Sequence, residues 1–161
     1  MIEIKIETDT ITAALQAIQS RLIDMTPLMR QISGIMLDAV EANFAAEGRP
    51  KWRPSRRATG QGGKTLQDTG QLAASIVSKY TQNQAMVGTN VIYAAIHQFG
   101  GKTAPHVIKP KNKKALFWPG AKHPVKSVKH PGSDIPARPF LSLTDSDYDT
   151  IKEKISEYLT R

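Results

Sequence analysis

The sequence contains no cysteine. That excludes structural disulfides and thiolate zinc sites, and it suits a chain that folds in a reducing compartment. It has no uninterrupted apolar run near the roughly 20 residues that a membrane-spanning helix needs. The opening MIEIKIETDT places acids where a secretory leader would carry a basic stretch and an apolar core. The expectation is a soluble protein made in the cytoplasm, with no membrane partner. Internal repeats, heptads and low-complexity tracts are also missing.

A further scarcity is local. From Arg49 to His130, fifteen Lys and Arg face one acid, Asp68, so this stretch carries +14 of a chain whose net charge is +8, and the flanks together carry −6. One basic block holds Arg49, Lys51, Arg53, Arg56, Arg57 and Lys64. A second holds Lys102, Lys109, Lys111, Lys113, Lys114, Lys122, Lys126 and Lys129. Such a field favours nucleic acid or an acidic protein surface, or it simply keeps a surface solvated. The asymmetry also allows the acidic flank of one subunit to meet the basic middle of the next.

What is present suffices for one domain: 161 residues at 40% hydrophobic content can build one core. Ile2, Ile4 and Ile6 alternate with Glu3, Lys5 and Glu7, the period of a half-buried strand. Asp9 or Thr10 can cap a helix carrying Ile11, Leu15, Ile18 and Leu22 on one face. Thr26–Pro27 predicts a helix start, with the Thr26 hydroxyl as cap, and Leu28, Ile32, Ile35, Met36, Ala39, Val40 and Phe44 share one stripe of that long helix. Gly48 and Pro50 stop it. Residues 48–65 are polar, basic and glycine-rich and read as a mobile loop. A short helix around 66–74 follows, then strands at 75–80 and 84–88 turning at Gln82–Asn83. Residues 91–99 have a helical spacing of Ile92, Ala95, Ile96 and Phe99.

Residues 101–134 are lysine-rich and punctuated by proline. A structureless stretch of that length is unusual, so a hairpin is expected, with HVIKP and ALFWP as arms and the lysines of 109–114 at its tip. Thr144 or Asp145 caps a final helix with Tyr148, Ile151, Ile155, Tyr158 and Leu159 on one face. The fold class expected is α+β. It is a single domain over 1–161 with a long N-terminal helix, a small mostly antiparallel sheet bearing a basic hairpin, and a C-terminal helix. Mobile loops are expected at about 48–65 and 101–134.

The chemistry-bearing residues each admit a bland reading. Trp52 among Arg49, Lys51 and Arg53 can stack on a base, anchor a protein interface, or fold back over the end of the preceding helix. Arg138 in PARPF is held extended by two prolines. It suits a bidentate contact to a carboxylate of a neighbouring subunit, or an internal pair. Phe140 reads as a core anchor and Trp118 as core or sheet packing. Asp68 caps a short helix and offsets nearby charge. His97, one turn from Tyr93, lacks any Ser–His–Asp or Cys–His pattern and reads as a packed, hydrogen-bonded histidine. His106, His123 and His130 sit in a lysine field that disfavours a metal. TGQGGKT, Thr59 to Thr65, has the wrong glycine spacing for a phosphate loop. No cofactor site and no carboxylate cluster for metal-assisted chemistry is expected, so the chain does not read as an enzyme. The positions expected to meet a neighbouring subunit or a polyanion are Arg49, Lys51, Trp52, Arg53, Arg56, Arg57, Lys111, Lys113, Lys114 and Arg138.

Four segments in order carry a resemblance: FAAEGRPKWRPS (44–55), LQDTGQLAASI (66–76), VGTNVIYAAIHQFGG (87–101) and IPARPFLSLTDSD (135–147). With the terminal helix they resemble the phage virion morphogenesis family, which includes tail completion proteins of P2-like phages and the Mu-like morphogenesis protein. The resemblance implies a structural role in completing the tail and joining it to the head. It also implies a homo-oligomeric ring in the virion neck, in contact with other neck, tail or head proteins. It supplies no catalytic residue to carry over. The alternative, from charge alone, is a non-specific nucleic-acid-binding module.

Overall fold

The computed structural model describes residues 8–160. The strand expected at residues 2–7 lies outside them. The elements are α1 (Asp9–Ile23), α2 (Thr26–Ala46), α3 (Arg56–Gln61), α4 (Gln71–Ala74), β1 (Val77–Tyr80), β2 (Ala85–Gly88) and α5 (Ala94–Phe99). They continue with β3 (Gly101–Lys102), β4 (His106–Ile108), β5 (Val128–His130), β6 (Asp134–Ile135) and α6 (Asp145–Thr160). This is the α+β domain that the pattern predicts, with every strand pair antiparallel.

α2 is the spine, about 30 Å long at 1.5 Å per residue. It packs against β1, β2 and α6. Leu28, Ile32, Ala39, Val40 and Phe44 of the expected stripe are buried, because i, i+4 and i+7 spacings line one side of a helix. The core gathers Val40, Phe44, Trp52, Leu72, Ala94 and Phe140, with Leu66, Ile76, Val87 and Leu141 against it. Phe44 meets Phe140 at 5.5 Å between ring centres and Trp52 edge-on at 5.9 Å.

The start of α6 and the stop of α2 fall where expected, and the start of α2 differs in its cap. At α2 the Thr26 hydroxyl caps no N–H: the N-cap is Met25, and the Asp24 carboxylate accepts the Thr26 N–H at 3.0 Å. At α6 Thr144 and Asp147 form a reciprocal box. The Thr144 N–H and hydroxyl donate to Asp147 Oδ2 at 2.8 Å each, and Asp147 N–H returns to Thr144 Oγ1 at 3.4 Å. α2 stops through Glu47 in the left-handed region and Gly48 at φ 102°, whose N–H bonds Asn43 O at 2.7 Å. A Cβ at Gly48 would lie 2.5 Å from the Trp52 ring, so only glycine lets the indole fold back there. The helix expected over 66–74 is confined to Gln71–Ala74, since Leu66 and Gly70 both have positive φ.

A polar knot fastens Arg49 and the segment entering α6 to α2. Asn43 is fully buried, and its Nδ2 donates to Phe140 O at 2.9 Å and Ser142 O at 2.8 Å. Arg49 Nε donates to Asn43 Oδ1 at 2.9 Å, and Nη2 reaches Ala39 O at 2.9 Å and Asp147 Oδ2 at 3.0 Å. Burial disfavours the Asp147 anion. The Thr144 bonds and the Arg49 guanidinium outweigh it and hold the carboxyl below its ordinary value.

Two predictions follow from the knot. Asn43→Ala strands the buried Phe140 carbonyl and removes Arg49's acceptor, so it lowers unfolding free energy by about 2–4 kcal/mol in chemical denaturation. A loss under about 1 kcal/mol would remove the knot's importance. Asp147 has a depressed folded pKa. Its contribution is therefore complete above the unfolded value and fades as pH falls through the folded one. The stability gap between wild type and Asp147→Asn, about 1–2 kcal/mol at neutral pH, narrows from about pH 5 downwards. A gap that stays constant into acid contradicts the assignment.

Candidate functional site

The basic middle of the chain divides into a part committed inside the fold and a part left outside it. Arg49 is tied into the knot just described. Trp52 is 6% exposed and lies against Phe44 in the core. This is the folded-back position, which withdraws the indole from bases and partner proteins alike. Arg138 is also 6% exposed. Arg49 and Trp52 are corrections to the expected outward-facing set, because their side chains hold their own chain; Arg138 is buried as well, but only its Nε is engaged there. Arg57 is half-buried, donating to Lys64 O at 2.7 Å and pairing with Asp68 at 3.5 Å. Lys51, Arg53, Arg56, Lys111, Lys113 and Lys114 are exposed.

Residues 48–65 contain α3, capped by Ser55 Oγ accepting from Ala58 N at 3.1 Å. The segment is fastened at its far end, where the buried Thr65 donates its N–H to Glu47 Oε1 at 2.6 Å. That bond also lowers the Glu47 pKa. Between the anchors, α3 buries no side chain.

Residues 101–135 form a single antiparallel arm, with two corrections to the expected hairpin. Gly101 pairs with Ile135 and Lys102 with Asp134. His106, Val107 and Ile108 then pair with His130, Lys129 and Val128 in the same register. Gly132, at φ 92°, permits the narrow point, where a Cβ would fall 2.1 Å from Thr103 O. HVI thus pairs with VKH and not with ALFW. The Leu116–Val125 bridge closes the arm farther out, so the tip is 117–124. Lys109–Lys114 lie on the outgoing limb. Pro110 offers no N–H to a ladder, and the clustered like charges disfavour regular pairing there. Val107, Ile108, Phe117 and Trp118 are all exposed, so Trp118 is not core. His106 and His130 stack across the ribbon at 5.0 Å. α1 presents a second uncovered apolar surface: Ile11 is 54% and Leu15 61% exposed, and no α1 residue is buried. It is tied down at its C-terminal end, where Arg21 Nη1 donates to Leu159 O and Tyr158 Oη donates to Asp24 O at 2.7 Å.

At the root of the arm, α5, α4 and the Arg138 segment enclose a cleft of about 320 Å³. Arg138 N–H bonds His97 O at 2.7 Å, and its Nε donates to Arg53 O at 2.9 Å. His97 packs edge-on against Tyr93 at 5.9 Å. Burial, then the Arg138 charge, push its pKa down. The histidine is packed as expected, but its buried Nδ1 has no hydrogen-bond partner among the described residues. The apolar spacing in this region misleads as well. Ala94 is the buried residue of α5, while Ile92 is 98% and Phe99 79% exposed. Sequence reasoning missed the outward Val107, Ile108 and Phe117 and the convergence of His97 on Arg138. The first left a trace in the apolar residues set among lysines. The second is brought about only by tertiary packing. Among the described residues, no cluster of His, Asp or Glu suits a metal ion, and no helix is long and apolar enough to cross a membrane.

The two tryptophans give a direct check. Trp118→Phe should leave the blue-shifted, iodide-protected emission of buried Trp52, and Trp52→Phe should leave the red-shifted, quenchable emission of Trp118. Trp52→Ala should cost about 3–5 kcal/mol of stability. Ready iodide quenching of Trp52 in the folded protein would contradict its placement.

Comparison with known proteins bears on the whole chain. The model of the phage virion morphogenesis family matches residues 6–160. Mu-like prophage FluMu G protein 2 of Haemophilus influenzae is 41% identical over 159 residues, covering 98% of this chain and 96% of that protein. Putative capsid assembly protein G of Escherichia phage Mu is 31% identical over 101 residues, 60% of this chain and 50% of its own length. Mu-like prophage FluMu G protein 1 of Haemophilus influenzae is 30% identical over 116 residues, 65% of this chain and 79% of its own length. No solved structure matches. The match runs through all the described elements, from α1 to α6, and the chain therefore belongs to the phage virion morphogenesis family, with a structural part in phage assembly.

Proposed function

We propose that the protein completes the tail and joins it to the filled head at the virion neck, as one subunit of a homo-oligomeric ring. It is made in the host cytoplasm and acts by binding, without catalysis. The observation that supports this reading is the arm. It carries eight lysines and one acid between Gly101 and Ile135, with Val107, Ile108, Phe117 and Trp118 exposed among them. Apolar side chains held out on a two-stranded ribbon are out of place on a finished surface and suit burial in a neighbour.

The rest of the molecule offers a complementary surface. α6 carries five acids against two lysines, and α1 keeps its apolar stripe uncovered. An arm from one subunit gripping the acidic helical layer of another would join unlike patches, the geometry from which rings close. Ordering on a neighbour, as proposed for about 48–65 and 101–134, then concerns α3 and the arm, where side chains are largely exposed. Delayed ordering makes docking conditional on the correct partner. The outward bases Lys51, Arg53, Arg56, Lys111, Lys113 and Lys114 are the residues for such contacts.

The second reading is non-specific contact with DNA passing the neck, and the exposed lysines of the arm favour it. It requires affinity that falls steeply with salt. Fluorescence anisotropy with duplex DNA would then show binding at low salt that Lys111→Ala, Lys113→Ala and Lys114→Ala together weaken. Absence of low-salt binding removes this reading. For the assembly reading, deletion of the gene from an intact phage should leave separate filled heads and finished tails in electron micrographs. Normal virions would refute it.

A further inference from the structure

Arg138 is a largely buried cation with no counter-ion among the described residues. Its Nε is occupied by Arg53 O and its backbone N–H by His97 O. Among the described residues no carboxylate pairs with it, and Nη1 and Nη2 have no hydrogen-bond partner. The stem and Nε are enclosed while the unpartnered Nη edge is open to the cleft, where an opposite charge would meet a largely desolvated guanidinium. The one acid lining the cleft, Asp68, is largely exposed and pairs with Arg57 at 3.5 Å. Beside Arg138, the buried His97 Nδ1 is also without a partner among the described residues.

We propose that the Arg138 cleft is a binding site for a carboxylate supplied by another polypeptide. The two free Nη groups present a planar fork, the geometry that matches a carboxylate in bidentate fashion. Leu66, Leu72 and Tyr93 line the approach and suit the apolar stem of an acidic side chain. Asp68 on the rim disfavours an extended polyanion such as a nucleic-acid backbone, which would bring its other phosphates against that acid. The site goes beyond the neck assignment and rests on it only for the source of the carboxylate. Its position at the root of the arm, one strand-end from Ile135, means that an acid from a neighbour would lock the arm's exit direction as it docks.

The test is a titration of the isotopically labelled full-length protein followed by NMR, at constant ionic strength made up with sodium chloride. The reporters are the Arg138 Nε–H and the His97 ring resonances. The probes are acetate, N-acetylglutamate α-amide for a side-chain acid, N-acetylalanine for a chain terminus, and inorganic phosphate. Saturating shifts at both reporters are expected with carboxylates, in the roughly millimolar range for so small a ligand, and at least tenfold tighter than with phosphate. The tighter of the two amino-acid probes identifies the source. Arg138→Lys keeps the charge and loses the fork, and it should weaken binding at least tenfold. If that variant does not fold, the wild-type reporters still decide. Shifts that never saturate, that chloride reproduces, or that phosphate produces equally well would overturn the proposal. Failure here leaves the neck reading standing, since the particles made without the gene judge that separately.

Discussion

The structure depends on one buried amide. Asn43 sits in the last turns of α2 with no exposure, and it uses both ends of its side chain. Its NH2 group holds the carbonyls of Phe140 and Ser142, and its oxygen accepts from Arg49. These bonds bring the segment entering α6 onto the spine helix and place the Phe140 ring on Phe44. An apolar residue of the same size would fill the space but leave the Phe140 carbonyl buried and unpaired, which is costly. The amide therefore specifies which strand of chain lies there, where packing alone would accept alternatives.

Around that point the molecule separates its charges. The arginines nearest the knot are absorbed: Arg49 by Asp147 and Asn43, Arg57 by Asp68 and Lys64 O. Among the described residues the lysines of the arm form no ion pair, because the arm has one acid of its own and no core to bring others near. A field of one sign on a ribbon that exposes its apolar residues repels copies of itself and attracts the acidic helices.

Arg138 links the body and the arm. It belongs to the extended PARPF segment, where flanking prolines fix the backbone, and two other parts of the chain meet it: the loop at Arg53 and α5 at His97. Burial, and then the guanidinium itself, push the pKa of its neighbour His97 down. The Arg138 Nε is held by one carbonyl on the inner side, and its Nη groups face the cleft on the other.

Much of this was legible in the residues. The α2 stripe, the β1–β2 hairpin with its turn at Gln82–Asn83, the acid-rich start of α6 and the α+β class all follow from local periodicity and cap chemistry, which need no distant contacts. The arm was legible as a hairpin but not in its register. Pairing depends on which limbs meet, and HVI found VKH because proline and clustered lysines break the nearer alternative. For Trp52 and Arg138 the inward position was one of the readings left open, and Arg49 was expected to face outward. An aromatic among bases and an arginine between prolines look the same in sequence whether they face outward or inward. Only the tertiary packing decided, by setting Phe44 beside the indole, Asn43 and Asp147 around Arg49, and a carbonyl without a carboxylate beside Arg138.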